Sequence, residues 1–361
     1  MKRNILLNPG PATISMRVKK AQLVPDICPR EQEFGDLMAK ISAGLLGFVK
    51  DAKDSSCVLF GGSGTLAVES TLASALDKSH KLAIIVNGAY GQRMCEIAKY
   101  HGLNYVVFQS SFLEPIDFLE LEQFLQKERP DFLSVVHSET TSGLLNDLTQ
   151  ISKIAHPLGI KIIADCMSSF ACYEISLNEV DFIIASSNKN IQGTAGISFV
   201  IAKNQNIMHA EFAKSLYLDL KAQYEYFIKH HQMRFTPPVQ VAYALYEAIL
   251  ELQEEGLKNR FLRYQKSNAI LRQGLEDLGF CIYPKSSHSV IITSIDIPKN
   301  MNFEELHQFC KNRGFTIYPG KIAGKEMFRI ANIGEIDSYD MQLFLQVLQE
   351  FCQHTIINQK N

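Results

Sequence analysis

Residues 160–166 read Ile-Lys-Ile-Ile-Ala-Asp-Cys, and residues 182–189 read Phe-Ile-Ile-Ala-Ser-Ser-Asn-Lys. In both stretches a short apolar run is followed closely by polar side chains, with Asp165 in the first and Lys189 in the second. A continuous apolar run of about four to eight residues is typical of a strand buried on both faces of a parallel sheet. The carboxyl ends of parallel strands meet at one edge of the sheet, where α/β proteins bind ligands. We therefore expect Asp165 and Lys189 to lie at the same edge.

Similar apolar runs recur on both sides of these two stretches. They cover residues 57–60, 82–86, 105–108, 132–136 and 197–201. Amphipathic patterns of helical period lie between several of them, as at 92–101 and 118–127. Strands that alternate with helices predict an α/β fold with a mostly parallel, seven-stranded sheet covered by helices on both faces.

The second half of the chain has a different pattern. Residues 206–280 are rich in helical patterns, and Thr236-Pro237-Pro238 forms a rigid break before a helix predicted over 239–255. Strands are predicted at 289–293 and 327–330, and helices near 303–313 and 337–353. We therefore expect a large domain over 15–255 and a smaller C-terminal α/β domain over 256–361.

Composition excludes several classes of protein. The 361 residues are 46% apolar and 20% charged, with 36 basic and 38 acidic side chains, so nothing favours nucleic acid or an anionic membrane as a partner. No apolar run approaches the roughly 18 residues of a membrane span, and the apolar run at 5–7 is too short for a signal peptide. Eight scattered cysteines without a CxxC pair predict reduced thiols and no metal site. We expect a soluble, cytoplasmic protein.

A glycine-rich turn at residues 60–69 reads Phe-Gly-Gly-Ser-Gly-Thr-Leu-Ala-Val-Glu and joins a predicted strand to a predicted helix. Glycines let the backbone approach an anion, and a helix N-terminus presents free N–H groups to it. Ser63 and Thr65 add hydroxyl donors. Taken alone, this motif fits a phosphate-binding turn and an ordinary serine-capped turn equally well.

Two other uses of this turn fail where their motifs are specific. Gly62-x-Gly64-x-x-Ala67 fits a dinucleotide fingerprint, but the next strand ends in Val86-Asn87-Gly88 without the required acidic residue. A hydrolase nucleophile elbow centred on Ser63 would need glycine where the chain has Thr65.

Asp165 and Lys189 also have ordinary interpretations, as a capping aspartate and a solvated surface lysine. A carboxylate at a strand end can instead pair with a protonated pyridine nitrogen. A desolvated lysine has a lowered pKa and can form an imine with a carbonyl cofactor. The order of a phosphate turn, then Asp165, then Lys189, all at strand ends, favours this second interpretation.

With these motifs the sequence resembles the class-V aminotransferases of fold type I, which use pyridoxal 5'-phosphate, over nearly its whole length. Within them it most resembles the group that acts on 2-aminoethylphosphonate and pyruvate. The motifs that carry the resemblance lie at 7–11 (Leu-Asn-Pro-Gly-Pro), 26–31 (Asp-Ile-Cys-Pro-Arg-Glu), 62–65 (Gly-Ser-Gly-Thr), 87–91 (Asn-Gly-Ala-Tyr-Gly), 139–143 (Glu-Thr-Thr-Ser-Gly), 187–193 (Ser-Asn-Lys-Asn-Ile-Gln-Gly), 236–238 (Thr-Pro-Pro) and 328–334 (Phe-Arg-Ile-Ala-Asn-Ile-Gly).

The resemblance implies a role for each matching residue. Lys189 would hold the cofactor as a Schiff base and transfer the proton, and Asp165 would pair with the pyridine nitrogen. Tyr90 would stack on the ring, and Thr140 would contact the region of the ring hydroxyl. The residues implied to hold the phosphate are Ser63, Gly64, Thr65, Asn188 and, from a neighbouring subunit, Thr236.

The resemblance also implies a substrate site and a reaction. Arg329 would bind the anionic group of the substrate, and Asn8 and Gly10 would lie in an N-terminal arm, residues 1–14, that lines the active site. The reaction would convert 2-aminoethylphosphonate and pyruvate into phosphonoacetaldehyde and alanine, or run in reverse, in a homodimer with active sites at the subunit interface.

Three alternatives remain open. The first is another amine donor of the same group, such as serine or alanine with glyoxylate. The second is a cysteine desulfurase-like lyase, which needs a thiol on a mobile loop, whereas Cys310 lies in an apolar helical pattern that suits packing. The third is a cofactor-sensing regulator, which needs an attached DNA-binding module for which we expect no room at either end.

Overall fold

The computed structural model describes residues 3–322 and 325–358. Residues 1–2 of the predicted arm, and 323–324 and 359–361 of the predicted C-terminal domain, lie outside these ranges. The strands, in chain order, are β1 (Ile5–Leu6), β2 (Ser55–Gly61), β3 (Lys81–Val86), β4 (Asn104–Gln109), β5 (Phe132–Val136), β6 (Ser138–Glu139), β7 (Leu144–Leu145), β8 (Lys161–Asp165), β9 (Phe182–Ser186), β10 (Ile197–Lys203), β11 (Ile282–Tyr283), β12 (Ile292–Asp296), β13 (Phe315–Thr316), β14 (Tyr318–Ile322) and β15 (Lys325–Ala331).

Helices separate most of these strands. They are α1 (Met16–Lys20), α2 (Gln32–Leu46), α3 (Gly64–Ala75), α4 (Ala89–Tyr100), α5 (Phe118–Glu128), α6 (Leu148–Ala155), α7 (Asn204–Met208), α8 (Leu220–His230), α9 (Val239–Glu255), α10 (Leu257–Asp277), α11 (Phe303–Asn312) and α12 (Ser338–Asn358), with one 3₁₀ turn at His156–Leu158. The helix predicted over 239–255 is confirmed with the same limits as α9.

All seven predicted apolar runs join one sheet, in the order β2-β10-β9-β8-β5-β3-β4. β10 runs antiparallel to both of its neighbours, and every other pair in the sheet is parallel. The predicted α/β fold with a mostly parallel, seven-stranded sheet is confirmed. In this register Asp165, the last residue of β8, lies opposite Val136 of β5 and Ile184 of β9, which places it at the carboxyl edge.

Helices cover both faces of this sheet because successive strand residues point to opposite sides. Ile183 packs in a core with side chains of α2, α5, α6 and α9. Ile184, the next residue, packs in a second core with side chains of α3, α4 and α8. Burial on both faces explains why these strands are apolar without alternation.

A second, antiparallel sheet in the order β11-β12-β15-β14 packs with α10, α11 and α12 around its own core. β1 joins this part of the molecule by pairing with β13. The boundary at residue 255 falls where α9 ends and α10 begins, with only Gly256 between them. The division into the three proposed segments stays a prediction.

The strand predicted at 289–293 is wrong in its first part, since β12 begins at Ile292. Ser289 donates its N–H to the carbonyl of Gly143, and Val290 donates to the Tyr173 hydroxyl at 2.7 Å. The first bond ties the segment to the loop after β6 and the second to the segment between β8 and β9, so residues 289–291 connect to the large domain before β12 begins. Across the described ranges, no helix combines the length and apolarity that a bilayer crossing requires.

Candidate active site

A cavity of about 160 Å³ opens at the carboxyl edge of the large sheet, where the sequence placed its candidate residues. Seven of them line it, namely Gly64, Thr65, Tyr90, Thr140, Asp165, Asn188 and Lys189. They come from the N-termini of α3 and α4, the turn after β6, the end of β8 and the turn after β9. The remaining candidates, Asn8, Gly10, Ser63, Thr236 and Arg329, are not part of this lining.

Asp165 ends β8 with its side chain buried, the whole residue being 5% exposed. Its Oδ1 accepts the N–H of Met167 at 2.9 Å. The pKa of Asp165 is raised to about 6, mainly by burial and also by nearby Glu139, against the lowering effects of this bond, Lys189 and Arg93. A desolvated carboxyl with one donor is stabilised as a carboxylate by a cationic partner.

Lys189 lies half-buried in the turn after β9, and its Nζ donates to the carbonyl oxygen of Pro9. The pKa of Lys189 is lowered to about 8, mainly by burial and also by Arg329 and Arg93, although Asp165 acts in the opposite direction. A larger fraction of the amine is therefore neutral near pH 7 than for an ordinary lysine.

The N-terminal arm reaches this lysine. Gly10 has a φ of +142°, and a Cβ built on it would lie 2.5 Å from Lys189 Nζ. Ala12 donates its N–H to the carbonyl of Asn188 at 3.0 Å. Asn8 is buried, and its amide donates to the carbonyl of Pro11 at 3.1 Å, which shapes the arm from within.

The glycine-rich turn places the N-terminus of α3 at the cavity. Ser63 is the N-cap residue in an extended conformation, but its side chain is exposed and caps no N–H. The first N–H groups of a helix have no intrahelical acceptor, so those of Gly64 and Thr65 remain available. A Cβ on Gly64 would lie 2.5 Å from Met167 Sδ, so a side chain at this position would displace the end of Met167.

Arg329 lies beside the cavity on β15. Its Nη1 donates to the carbonyl of Thr140 and its Nη2 to that of Pro319, both at 3.0 Å, while Nε is buried without a partner among the described residues. Burial lowers the pKa of this guanidinium. Two backbone carbonyls therefore orient a cation whose charge is not neutralised by a carboxylate contact of ion-pair length in the described part of the chain.

Thr236 is exposed in the segment before α9, away from the cavity of its own chain. That position neither supports a role in its own subunit nor tests one in a neighbouring subunit, so its assignment stays a prediction.

Two charged residues of the site were missed from the sequence. Arg93 lines the cavity, with its Nη1 3.4 Å from Thr65 Oγ1 and its guanidinium carbon 4.8 Å from the centre of the Tyr90 ring. Its position three residues after Tyr90 on α4 puts both on one helix face, which is a signal that the sequence contained. Glu139, fully buried beside the cavity, was quoted only as part of a motif.

The donor set fits pyridoxal 5'-phosphate. The cavity combines a buried carboxyl for a ring nitrogen, an amine for an aldehyde, and N–H and hydroxyl groups for a phosphate. Ser138 also lines it, and its buried Oγ has no hydrogen-bond partner among the described residues. An orphaned hydroxyl of this kind is satisfied when a polar ligand binds.

Comparisons with known proteins agree with this geometry. Residues 26–336 match the family model for class-V aminotransferases. A 2-aminoethylphosphonate–pyruvate transaminase of Bacillus cereus is 38% identical over 93% of this chain and 94% of its own length. A bifunctional phosphonoacetaldehyde hydrolase/aminoethylphosphonate transaminase of Clostridioides difficile is 37% identical over 96% of this chain, which spans 56% of that longer protein.

Among solved structures, alanine–glyoxylate aminotransferase from Nostoc sp. superimposes with a TM-score of 0.88 at 24% identity, covering 96% of each chain. At this identity the likeness supports the fold alone. The family match covers most of the chain and confirms the resemblance found in the sequence motifs, including the cofactor that it implied. The chain belongs to the class-V aminotransferase family, and its cofactor is pyridoxal 5'-phosphate.

Proposed function

We propose that the chain transfers an amino group between 2-aminoethylphosphonate and pyruvate, giving phosphonoacetaldehyde and alanine, or catalyses the reverse reaction. The observation that carries the transfer chemistry is the placement of Lys189 and Asp165 in one cavity at the carboxyl edge of the sheet. The substrates rest on relatives of this name that are 37–38% identical and match over nearly their full length.

When bound, the cofactor supplies an aldehyde that takes up the amino group and a ring that accepts the electron pair left by the substrate proton. Lys189 would be the residue that binds it covalently. Once displaced by the substrate amine, the Lys189 amine would remove the proton from the substrate carbon that carries the nitrogen. It would then deliver this proton to the carbon of the cofactor aldehyde. Its lowered pKa, about 8, suits both tasks, because the neutral amine removes the proton and the ammonium that results returns it.

Asp165 would hold the proton on the pyridine nitrogen. Its carboxyl is buried at the end of β8, where a cation would offset part of the cost of burying a negative charge. The pairing would keep the ring electron-withdrawing while substrate carbon is deprotonated.

The phosphate would lie at the N-terminus of α3, held by Ser63, Gly64, Thr65 and Asn188, and Arg93 lies near enough to Thr65 to add a positive charge there. Tyr90 would form one wall against the ring, and Thr140 would contact the region of the ring hydroxyl.

Arg329 would bind the anionic end of either substrate, since a guanidinium with free N–H groups can donate hydrogen bonds to a phosphonate or a carboxylate. Asn8 and Gly10 would close the substrate side of the cavity, as the contact of Pro9 and Gly10 with Lys189 supports.

We also propose a cytoplasmic homodimer whose active sites lie at the subunit interface and receive Thr236 from the neighbouring subunit. The segment around Thr236 is suited to association, because the Tyr217 and Phe235 rings stack at 5.2 Å beside Leu216, which is 69% exposed. The cysteines are all free thiols, which supports a reducing compartment.

Product formation tests the function directly. Purified protein with pyridoxal 5'-phosphate should form alanine from 2-aminoethylphosphonate and pyruvate, and Lys189→Ala should not. Alanine formation that requires serine as donor, or activity with glyoxylate and not pyruvate, would instead favour the related donors. Cys310 is fully buried in α11, and burial raises its pKa to about 12, so it is poorly placed as a desulfurase thiol.

A further inference from the structure

Glu139 is a fully buried acidic residue that the proposed reaction does not use. It ends β6, directly before Thr140 of the cavity lining, and its carboxylate turns away towards the N-terminus of α4. Burial raises its pKa, opposed by its hydrogen bonds and by Arg329. Burying a carboxyl group requires compensating partners, and the partners of Glu139 show which part of the structure it stabilises.

Three hydrogen bonds end on this carboxylate. Oε1 accepts the N–H of Thr141 at 2.9 Å and its hydroxyl at 2.6 Å, and Oε2 accepts the N–H of Tyr90 at 3.3 Å. The Thr141 hydroxyl itself accepts the N–H of Ala89 at 3.0 Å, so its own proton is directed to Glu139. Every contact therefore donates to Glu139.

These contacts cap α4 from outside the helix. Its N-cap residue is Gly88, which has no side chain, and the first N–H groups of a helix lack intrahelical acceptors. Glu139 and Thr141 supply acceptors for Tyr90 and Ala89, and a negative charge at this end is favoured by the helix dipole.

Gly88 is required by this approach. Its φ of 175° is extended backbone that any residue adopts, but a Cβ on it would lie 2.1 Å from Glu139 Cδ. The glycine thus makes space for the carboxylate at the helix terminus. Together, these contacts fix the backbone position from which the Tyr90 ring enters the cavity.

We infer that Glu139 is a positioning residue that holds the Tyr90 ring in place as a wall of the cofactor site. The inference rests on the proposed function through one step, the stacking of Tyr90 on the cofactor ring. Glu139 touches neither cofactor nor substrate in this role and acts through the backbone of Tyr90.

A double-mutant cycle on cofactor affinity tests the inference. Glu139→Gln keeps the shape but puts an amide NH₂ opposite one of the donors, so we expect the dissociation constant of pyridoxal 5'-phosphate, measured by equilibrium dialysis, to rise about tenfold. Tyr90→Ala should also weaken binding. In the Tyr90→Ala background, Glu139→Gln should then cost less than about twofold, because the ring that it positions is gone.

A full tenfold loss in that background, or no loss in the wild-type background, would overturn the inference. Circular dichroism of the bound cofactor adds a readout of ring orientation, which should change in Glu139→Gln. Glu96→Gln removes an exposed acid from the same helix and should change neither measurement. If Glu139→Gln does not fold, Gly88→Ala is the alternative variant, because it displaces the carboxylate but keeps its charge. Its effect on cofactor affinity should likewise be lost in the Tyr90→Ala background.

The outcomes separate this inference from the proposed function. A wild-type protein that binds no pyridoxal 5'-phosphate, or a Tyr90→Ala variant with unchanged affinity, contradicts the proposed site. If Tyr90→Ala weakens cofactor binding but the effect of Glu139→Gln is absent or does not depend on Tyr90, only the positioning role is contradicted.

Discussion

Gly10 packs against the side chain of Lys189, so closely that a methyl group at Gly10 would lie 2.5 Å from Nζ and 2.6 Å from Cε. The N-terminal arm thus closes over the reactive amine, and the space between them is set by the absence of a side chain. The positive φ of Gly10, +142°, adds a conformational reason for glycine.

Gly10→Ala is expected to reduce kcat/KM for 2-aminoethylphosphonate at least tenfold, because the methyl group must displace either the arm or the lysine. Backbone strain alone would cost about 1–3 kcal/mol of stability. Gly102→Ala is a matched control, since Gly102 also has a positive φ, +63°, but nothing lies within 4 Å of its Cβ position. Equal kinetic losses in both variants, with thermal unfolding measured in parallel, would contradict a role for the arm at the active site.

The reactivity of Lys189 should follow its lowered pKa. An amine reacts with an aldehyde only when neutral, so the rate at which the apoprotein captures pyridoxal 5'-phosphate should rise with pH and reach half its maximum near pH 8. An unperturbed lysine would reach that point near 10.5. Stopped-flow absorbance over pH 6–10.5 provides the measurement.

Asp165→Asn is the informative variant for this profile. The Asp165 charge raises the pKa of Lys189, so its removal should move the midpoint to lower pH. A midpoint that stays in place, or moves upward, would show that Asp165 does not act on Lys189 in solution.

Six of the seven strands of the large sheet could be predicted from the sequence because burial on both faces leaves a local apolar signal, while the edge strand β4 was predicted from its apolar run although only Phe108 in it is buried. The positions of Asp165 and Lys189 followed, since Asp165 is the last residue of its strand and Lys189 comes three residues after its own. Glu139 could not be placed in this way: the Tyr90 N–H that it accepts lies 49 positions away in the chain, and only the folded sheet brings the two together. The segment before β12 was misassigned for a related reason, because Ser289 bonds to the distant Gly143.

Arg329 should determine the affinity for both substrates. Arg329→Gln removes the charge together with the two Nη donors that bond the carbonyls of Thr140 and Pro319, because the shorter amide ends near the position of Nε. Loss of a charged hydrogen-bonding partner costs about 1.5–3 kcal/mol, so KM for 2-aminoethylphosphonate and for pyruvate should each rise roughly 10- to 100-fold. Arg313→Gln, which removes an arginine paired with Glu350 at 3.1 Å elsewhere in the same sheet-and-helix unit, should leave both values unchanged. A rise in KM for only one substrate would mean that the anionic group of the other substrate binds at a different residue.

Arg93 should contribute to cofactor affinity through the phosphate, since its guanidinium lies 3.4 Å from Thr65 Oγ1 at the N-terminus of α3. Pyridoxal, which lacks the phosphate, separates this effect from contact with the ring. Arg93→Gln should weaken binding of pyridoxal 5'-phosphate about tenfold and change binding of pyridoxal less than twofold. Lys99→Gln removes an exposed positive charge from the same helix and controls for long-range electrostatics. Equal weakening of both ligands would instead assign Arg93 to the support of the Tyr90 ring, 4.8 Å from its guanidinium carbon, because an effect through the ring does not depend on whether the ligand carries a phosphate.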